Sequence, residues 1–271
     1  MLEQPVRAKP AQPMKPAIVV TGAASGIGRE LARVAAREGL PMLLVDRSQS
    51  ALDELVAELG RSGAQASGLC IDLAERDAGL CLENALAERG LHCDVLVNSA
   101  GIGLYGPVAE ADREAQLRLL DVNMRALTEL TLRFVPGMVA RRHGGVLNIG
   151  SITGYMPGPN LALYSASKAY VKSFTVALGA ELAGSGVTVT CLAPGVVRTA
   201  LFMRTPLGVT RLNKILPRAD APKVAAAGWR AFRAGKRLVI PGLANRIIVR
   251  GSALLPEAAL LRLISFLSRM R

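Results

Sequence analysis

Six short apolar runs separated by stretches of helical character constrain this chain more than any other feature. Ala17–Thr21, Met42–Asp46, Ala66–Ile71, Asp94–Asn98, Gly145–Gly150 and Val187–Leu192 read as strands. Arg29–Glu38, Ala51–Leu59, Ala78–Arg89, Arg113–Arg142 and Leu161–Leu182 read as the helices between them. Strand and helix alternating at this spacing imply βαβ units with right-handed crossovers. The expected fold is therefore α/β, a doubly wound, Rossmann-like parallel sheet with helices on both faces. The length of 271 residues suits one large domain over residues 17–271, with a core that needs no disulfide or metal staple.

Outside that alternation the chain changes character. Residues 1–16 are polar, carry Pro5, Pro10, Pro13 and Pro16, and read as a disordered leader rather than a secretory signal. After Pro194 the pattern weakens. Residues 196–240 are expected to bind substrate, with Arg237–Ile240 as a last strand. Leu201, Phe202, Met203, Leu207, Ile215, Leu216, Trp229 and Phe232 would line an apolar pocket there or form core. Residues 243–271 read as a basic amphipathic tail, with Leu260, Leu263, Ile264 and Leu267 on one face and Arg262, Ser265 and Arg269 on another.

Composition removes several functions. Aromatics are 4%, too few for a platform that stacks single-stranded bases. Two histidines, His92 and His143, and four cysteines without CxxC spacing leave no metal site to expect. The cysteines read as reduced, mostly buried residues of a cytoplasmic protein, and the histidines as surface residues. No apolar span of about 20 residues is present to cross a membrane. The formal charge of +12 is concentrated, because residues 198–271 hold 15 Lys/Arg against Asp220 and Glu257, whereas residues 1–197 nearly balance. That asymmetry calls for an anionic partner at the C-terminal end, and peripheral contact with a membrane is one reading. Nucleic acid is disfavoured, since the basic segment contains no reading motif.

Three constellations carry chemistry. Thr21–Gly28 (TGAASGIG) lies between a strand and a helix. Gly22, Gly26 and Gly28 allow a tight turn and close approach of backbone to a pyrophosphate, with the helix N-terminus offering amides to it. Asp46 ends the second strand, where a carboxylate accepts ribose hydroxyls and repels a 2′-phosphate. Arg47 beside it would pair with that phosphate instead. The balance favours NAD over NADP, because a carboxylate in the pocket costs more than an exposed arginine gains. Tyr164 and Lys168 in YSASK stand one helical turn apart, and Ser151 closes the strand before them. An ammonium beside a phenol favours the phenolate and so tunes it toward acid–base work.

Taken together these motifs resemble the short-chain dehydrogenase/reductase family over about residues 17–199. The resemblance implies hydride transfer between NAD(P) and a small-molecule carbonyl or alcohol, catalysed by Asn123, Ser151, Tyr164 and Lys168. Tyr164 would be the proton donor and acceptor, Lys168 would hold the nicotinamide ribose, Ser151 the substrate oxygen, and Asn123 a relay water. Cofactor contacts would come from Gly22, Ser25, Gly26, Ile27, Gly28, Asp46, Arg47, the Asp72–Leu73 pair, Asn98, Ala100, Gly101, Pro194, Gly195 and Thr199, besides Tyr164 and Lys168. Ser99 departs from the family's N-N-A-G motif, a mild change because Asn98, which would brace the sheet, is kept. Tyr105, Tyr155 and Tyr170 lack a lysine four residues on and read as packing or pocket residues. A homo-oligomer and a lipophilic substrate are further expectations. The rival reading is a nucleotide-sensing protein on the same fold.

Overall fold

The computed structural model describes residues 13–197 and 218–268. Seven parallel strands form one sheet in the order β3-β2-β1-β4-β5-β6-β7. They are β1 (Lys15–Thr21), β2 (Met42–Asp46), β3 (Ala66–Cys70), β4 (Leu91–Asn98), β5 (Gly144–Ile149), β6 (Val187–Leu192) and β7 (Leu238–Val239). The order reverses between β1 and β4, which opens a crevice at their carboxyl ends where such sheets bind ligands.

The helices are α1 (Gly26–Ala35), α2 (Gln49–Arg61), α3 (Ala78–Glu88), α4 (Arg113–Leu120), α5 (Leu127–Arg141), α6 (Ala162–Glu181), α7 (Ala221–Arg233), α8 (Leu243–Ser252) and α9 (Glu257–Ser268). Because successive strand residues point to opposite faces, the sheet separates two apolar cores. Val20, Met42, Leu44 and Val97 face α1, α2 and α7. Val19, Leu43, Val45 and Leu96 face α3, α5 and the end of α6.

Several expectations change. Lys15 and Pro16, read as the end of the leader, belong to β1 and pair with Leu91 and His92 of β4. The stretch read as one helix over Arg113–Arg142 is two helices joined by a π-helical turn, Asp121–Ala126. Trp229 and Phe232 are core rather than pocket: they lie 5.4 Å apart by ring centroids against α1, and the Trp229 indole donates to Glu38 at 2.9 Å. The tail stripe is narrower than its spacing suggests, since Leu260 and Ile264 are buried while Leu263 is exposed. Only Cys93 and Cys191 are buried; Cys70 and Cys81 are exposed. Leu201, Phe202, Met203, Leu207, Ile215 and Leu216 lie outside the described residues.

Candidate active site

The glycine turn is packed so closely that side chains are excluded. Gly22 has φ +64°, and a Cβ there would stand 2.7 Å from the Ala100 Cα; one on Gly28 would stand 2.1 Å from the Gly22 carbonyl oxygen. Gly26, at φ +54°, turns the chain into α1. Ser25 stands at the N-cap of α1 without a side-chain cap bond, and the first-turn amides, those of Gly26 and Ile27 among them, have no acceptor inside the helix. Thr21, which opens the TGAASGIG motif but has no role of its own in the sequence expectation, ties β1 to the Ser99–Ala100 turn after β4. Its hydroxyl oxygen accepts the amides of Ser99 and Ala100 at 3.1 and 3.2 Å and donates to the Val97 carbonyl.

Asp46 lies at the rim with its carboxylate already oriented. It accepts the Ala24 amide at 3.0 Å through one oxygen and the Arg47 and Ser48 amides through the other. Arg47 is exposed. Asp72 pairs with Arg118 of α4 and accepts the Ala74 amide at 2.9 Å. Burial presses the Asp72 carboxyl upward, but the Ala74 amide and Arg118 outweigh it and hold it below the usual range. Leu73 is buried in the core.

Asn98 turns inward rather than into the crevice. Its amide donates to Asn148 of β5 at 2.9 Å and to Thr131 of α5 at 3.3 Å, and Asn148 donates onward to Thr175 of α6. This buried polar chain ties two strands and two helices together directly beneath the site. Asn148, Thr131 and Thr175 carried no motif and were invisible as anything but strand and helix residues.

Ser151, Tyr164 and Lys168 come together at the carboxyl end of β5, all three at least nine-tenths buried. The Ser151 hydroxyl neighbours the Tyr164 phenol, and the Lys168 ammonium lies 5.8 Å from the Tyr164 ring centre. Lys168 donates to the Ile149 carbonyl at 2.9 Å, leaving two further protons uncommitted in that bond. Thr153, also unforeseen, donates to the Ser151 oxygen twice, from its amide at 3.2 Å and its hydroxyl at 3.0 Å. With both lone pairs engaged, the Ser151 hydroxyl proton is free to point at Tyr164.

Asn123 sits in the π-helical turn. It accepts the Ile102 amide at 2.8 Å and donates to the Ile102 carbonyl and the Ser167 hydroxyl. Gly101 lies between Asn123 and Lys168, where a Cβ would stand 3.4 Å from the first and 3.7 Å from the second. Pro194 accepts the Ile152 amide at 2.9 Å and so joins the Ser151 turn to Gly195. Thr199 lies outside the described residues. Tyr105 and Tyr170 are packing residues, the latter stacked 5.8 Å from Phe174.

In the cofactor-free chain burial dominates the electrostatics of the pair. Burial pushes the Tyr164 phenol up to about 12, only partly opposed by the neighbouring Ser151 hydroxyl. It pushes the Lys168 ammonium down to about 8. Without a cationic ligand the phenol therefore keeps its proton.

The crevice is chemically suited to a dinucleotide: a cradle closed to any Cβ, free helix-terminal amides, an oriented carboxylate, and an acid and an ammonium at the inner end. Such a site on such a sheet defines a nicotinamide-dependent oxidoreductase acting on carbonyl or CH–OH groups. The profile of the short chain dehydrogenase family matches residues 16–208, and the chain belongs to that family.

A very-long-chain 3-oxoacyl-CoA reductase of Phaeosphaeria nodorum is 33% identical over 217 residues, 78% of this chain but 63% of that one, under two thirds of its length. A short-chain dehydrogenase from Sphingobium yanoikuyae in complex with NADPH matches with a TM-score of 0.78 at 30% identity, over 94% of this chain and 98% of that one. A short-chain dehydrogenase/reductase from Burkholderia phymatum in complex with NAD matches with a TM-score of 0.78 at 26% identity, over 88% and 92%. NAD(P) is thus the cofactor class.

Proposed function

We propose that this chain transfers a hydride between NAD(H) and a lipophilic ketone or alcohol, with Tyr164 as the general acid and base. The observation that carries the reading is the burial of Ser151, Tyr164 and Lys168 together at the carboxyl end of β5, with the Lys168 ammonium 5.8 Å from the Tyr164 ring centre.

The dinucleotide supplies or accepts the hydride; every other task falls on side chains. In reduction the Tyr164 phenol gives its proton to the carbonyl oxygen as the carbon is reduced, and in oxidation the phenolate takes it back. Ser151, held by Thr153, donates to the same oxygen and limits charge build-up there. Lys168, anchored on Ile149, offers its remaining protons to the nicotinamide ribose, and its charge favours the phenolate. Asn123 has both amide protons committed, so a relay water would meet its backbone carbonyl or second Oδ1 lone pair.

NAD is the preferred cofactor in this reading, because the oriented Asp46 carboxylate disfavours a 2′-phosphate that exposed Arg47 only weakly attracts. Apolar surroundings of Tyr164 support the substrate class: Leu119 and Leu161 pack on it, with Ile102, Leu104 and Leu163 alongside. The very-long-chain reductase relative points the same way. Tyr164→Phe should abolish turnover and leave NADH affinity unchanged. A nucleotide sensor would lose nothing by that change, so retained function in the variant would reverse the assignment.

A further inference from the structure

Among the described residues eleven large hydrophobic side chains are exposed. Six of them, Leu243, Ile247, Leu254, Leu255, Leu263 and Phe266, fall within α8, α9 and the bend between them. A concentration of this kind marks a contact surface, whereas singly scattered residues do not. Helical spacing places Leu243, Arg246, Ile247 and Arg250 on the outward face of α8, while Asn245, Val249 and Ser252 are buried on its reverse. On α9 the outward side carries Arg262, Leu263 and Phe266, and Leu260 and Ile264 hold the helix to the protein. Leu254, 84% exposed, stands at the bend.

The charged groups of this surface are arginines, apart from Glu257 at the start of α9. From Leu243 to the end the sequence holds five arginines and one acidic residue, Glu257. Guanidinium groups interleaved with leucine and isoleucine complement a layer of phosphate over hydrocarbon. No described helix is long and apolar enough to cross a membrane.

We propose that α8 and α9 lie flat on an anionic lipid surface, their outward leucines and isoleucine at the acyl boundary and Arg250 and Arg262 against the headgroup phosphates. The reverse face of α8 packs on the Ile152–Tyr155 turn that follows Ser151. Its Asn245 abuts Gly195, where a Cβ would stand 2.4 Å from the Asn245 oxygen. The lipid surface is thereby held about one helix diameter, roughly 10 Å, from the candidate active site. The docking itself needs no catalysis.

The test is co-sedimentation of the full chain with vesicles of phosphatidylcholine alone and of an equimolar phosphatidylcholine–phosphatidylglycerol mixture. Binding to the mixed vesicles only, released by raised salt, is expected. Arg250→Gln and Arg262→Gln should each weaken it about fivefold, equivalent to about 1 kcal/mol. Ile247→Ser with Leu254→Ser should abolish it while leaving Tm and NADH affinity unchanged, because both side chains are exposed. Absence of binding, or equal binding to both vesicles, overturns the proposal. A dimer in sedimentation velocity that dissociates in the double serine variant, with no vesicle binding, would instead put a second copy of the chain on this face.

Discussion

Burying Tyr164 and Lys168 side by side costs the cofactor-free protein stability, and the cost has a readable sign. The folded-state value of Lys168 is depressed to about 8 from an ordinary 10.5. The unfolded chain therefore binds more protons between those values, and stability contributed by this site rises with pH across that window. Lys168→Met should remove a penalty of about 3 kcal/mol and lose one hydrogen bond of about 1 kcal/mol, a net gain of about 2 kcal/mol at pH 7. Thermal unfolding should show Tm several degrees higher at pH 7 and a shrinking difference toward pH 10; a lower Tm at pH 7 would refute the penalty. Tyr164, held near 12 by burial, stays protonated at neutral pH, as the proposed acid role requires. Initial rates of reduction should accordingly be flat through neutral pH, while oxidation should climb by up to about tenfold per unit. Thr153→Val frees one Ser151 lone pair and lets the serine proton turn away from Tyr164. A fall in kcat of about fivefold, with KM for NADH unchanged, is expected, and an unaltered kcat would show that Thr153 positions nothing.

Among the elements, strands were the most legible because their apolar runs stop at turn residues. β2 and β6 match their expected bounds, and α1 begins at Gly26, before the expected Arg29, because glycines rarely announce a helix. The division of Arg113–Arg142 was not legible: Leu119, Val122, Ala126 and Leu130 keep a helical apolar spacing across the π turn, so no break in period marks it. That turn nevertheless directs Asn123 onto Ile102 and Ser167. Residues matched to a family motif were easier to place than residues acting through hydroxyls alone. Thr131, Thr153 and Thr175 each serve the site by one oxygen, and a threonine in a helix or turn has many ordinary reasons to be there. At the α1 turn Gly28→Ala should force the helix off the Gly22 carbonyl, costing about 1–3 kcal/mol. Fluorescence titration should then find NADH affinity reduced at least about tenfold; unchanged affinity would mean that this helix end does not meet the cofactor.

Over the whole molecule, the crevice lies where the two halves of the sheet diverge, so a cofactor seated there touches both. NADH at about 100 times its Kd should add roughly 2.7 kcal/mol and raise Tm by several degrees, with NADPH doing less if Asp46 governs the choice. The sheet has a second consequence, which begins at two adjacent residues. Val19 and Val20 are covalent neighbours, each wholly buried, yet they belong to the cores on opposite faces. Val20 instead shares its core with Val97, its register partner on β4, far away in sequence. Energetic kinship in this chain thus follows the facing surface rather than reading order. Truncating Val19 and Val20 to alanine together should sum to within about 0.5 kcal/mol, whereas the Val20 and Val97 truncations should depart from their sum by more. For anyone diversifying this protein each strand is two alphabets interleaved on one line, alternate letters answering to different audiences.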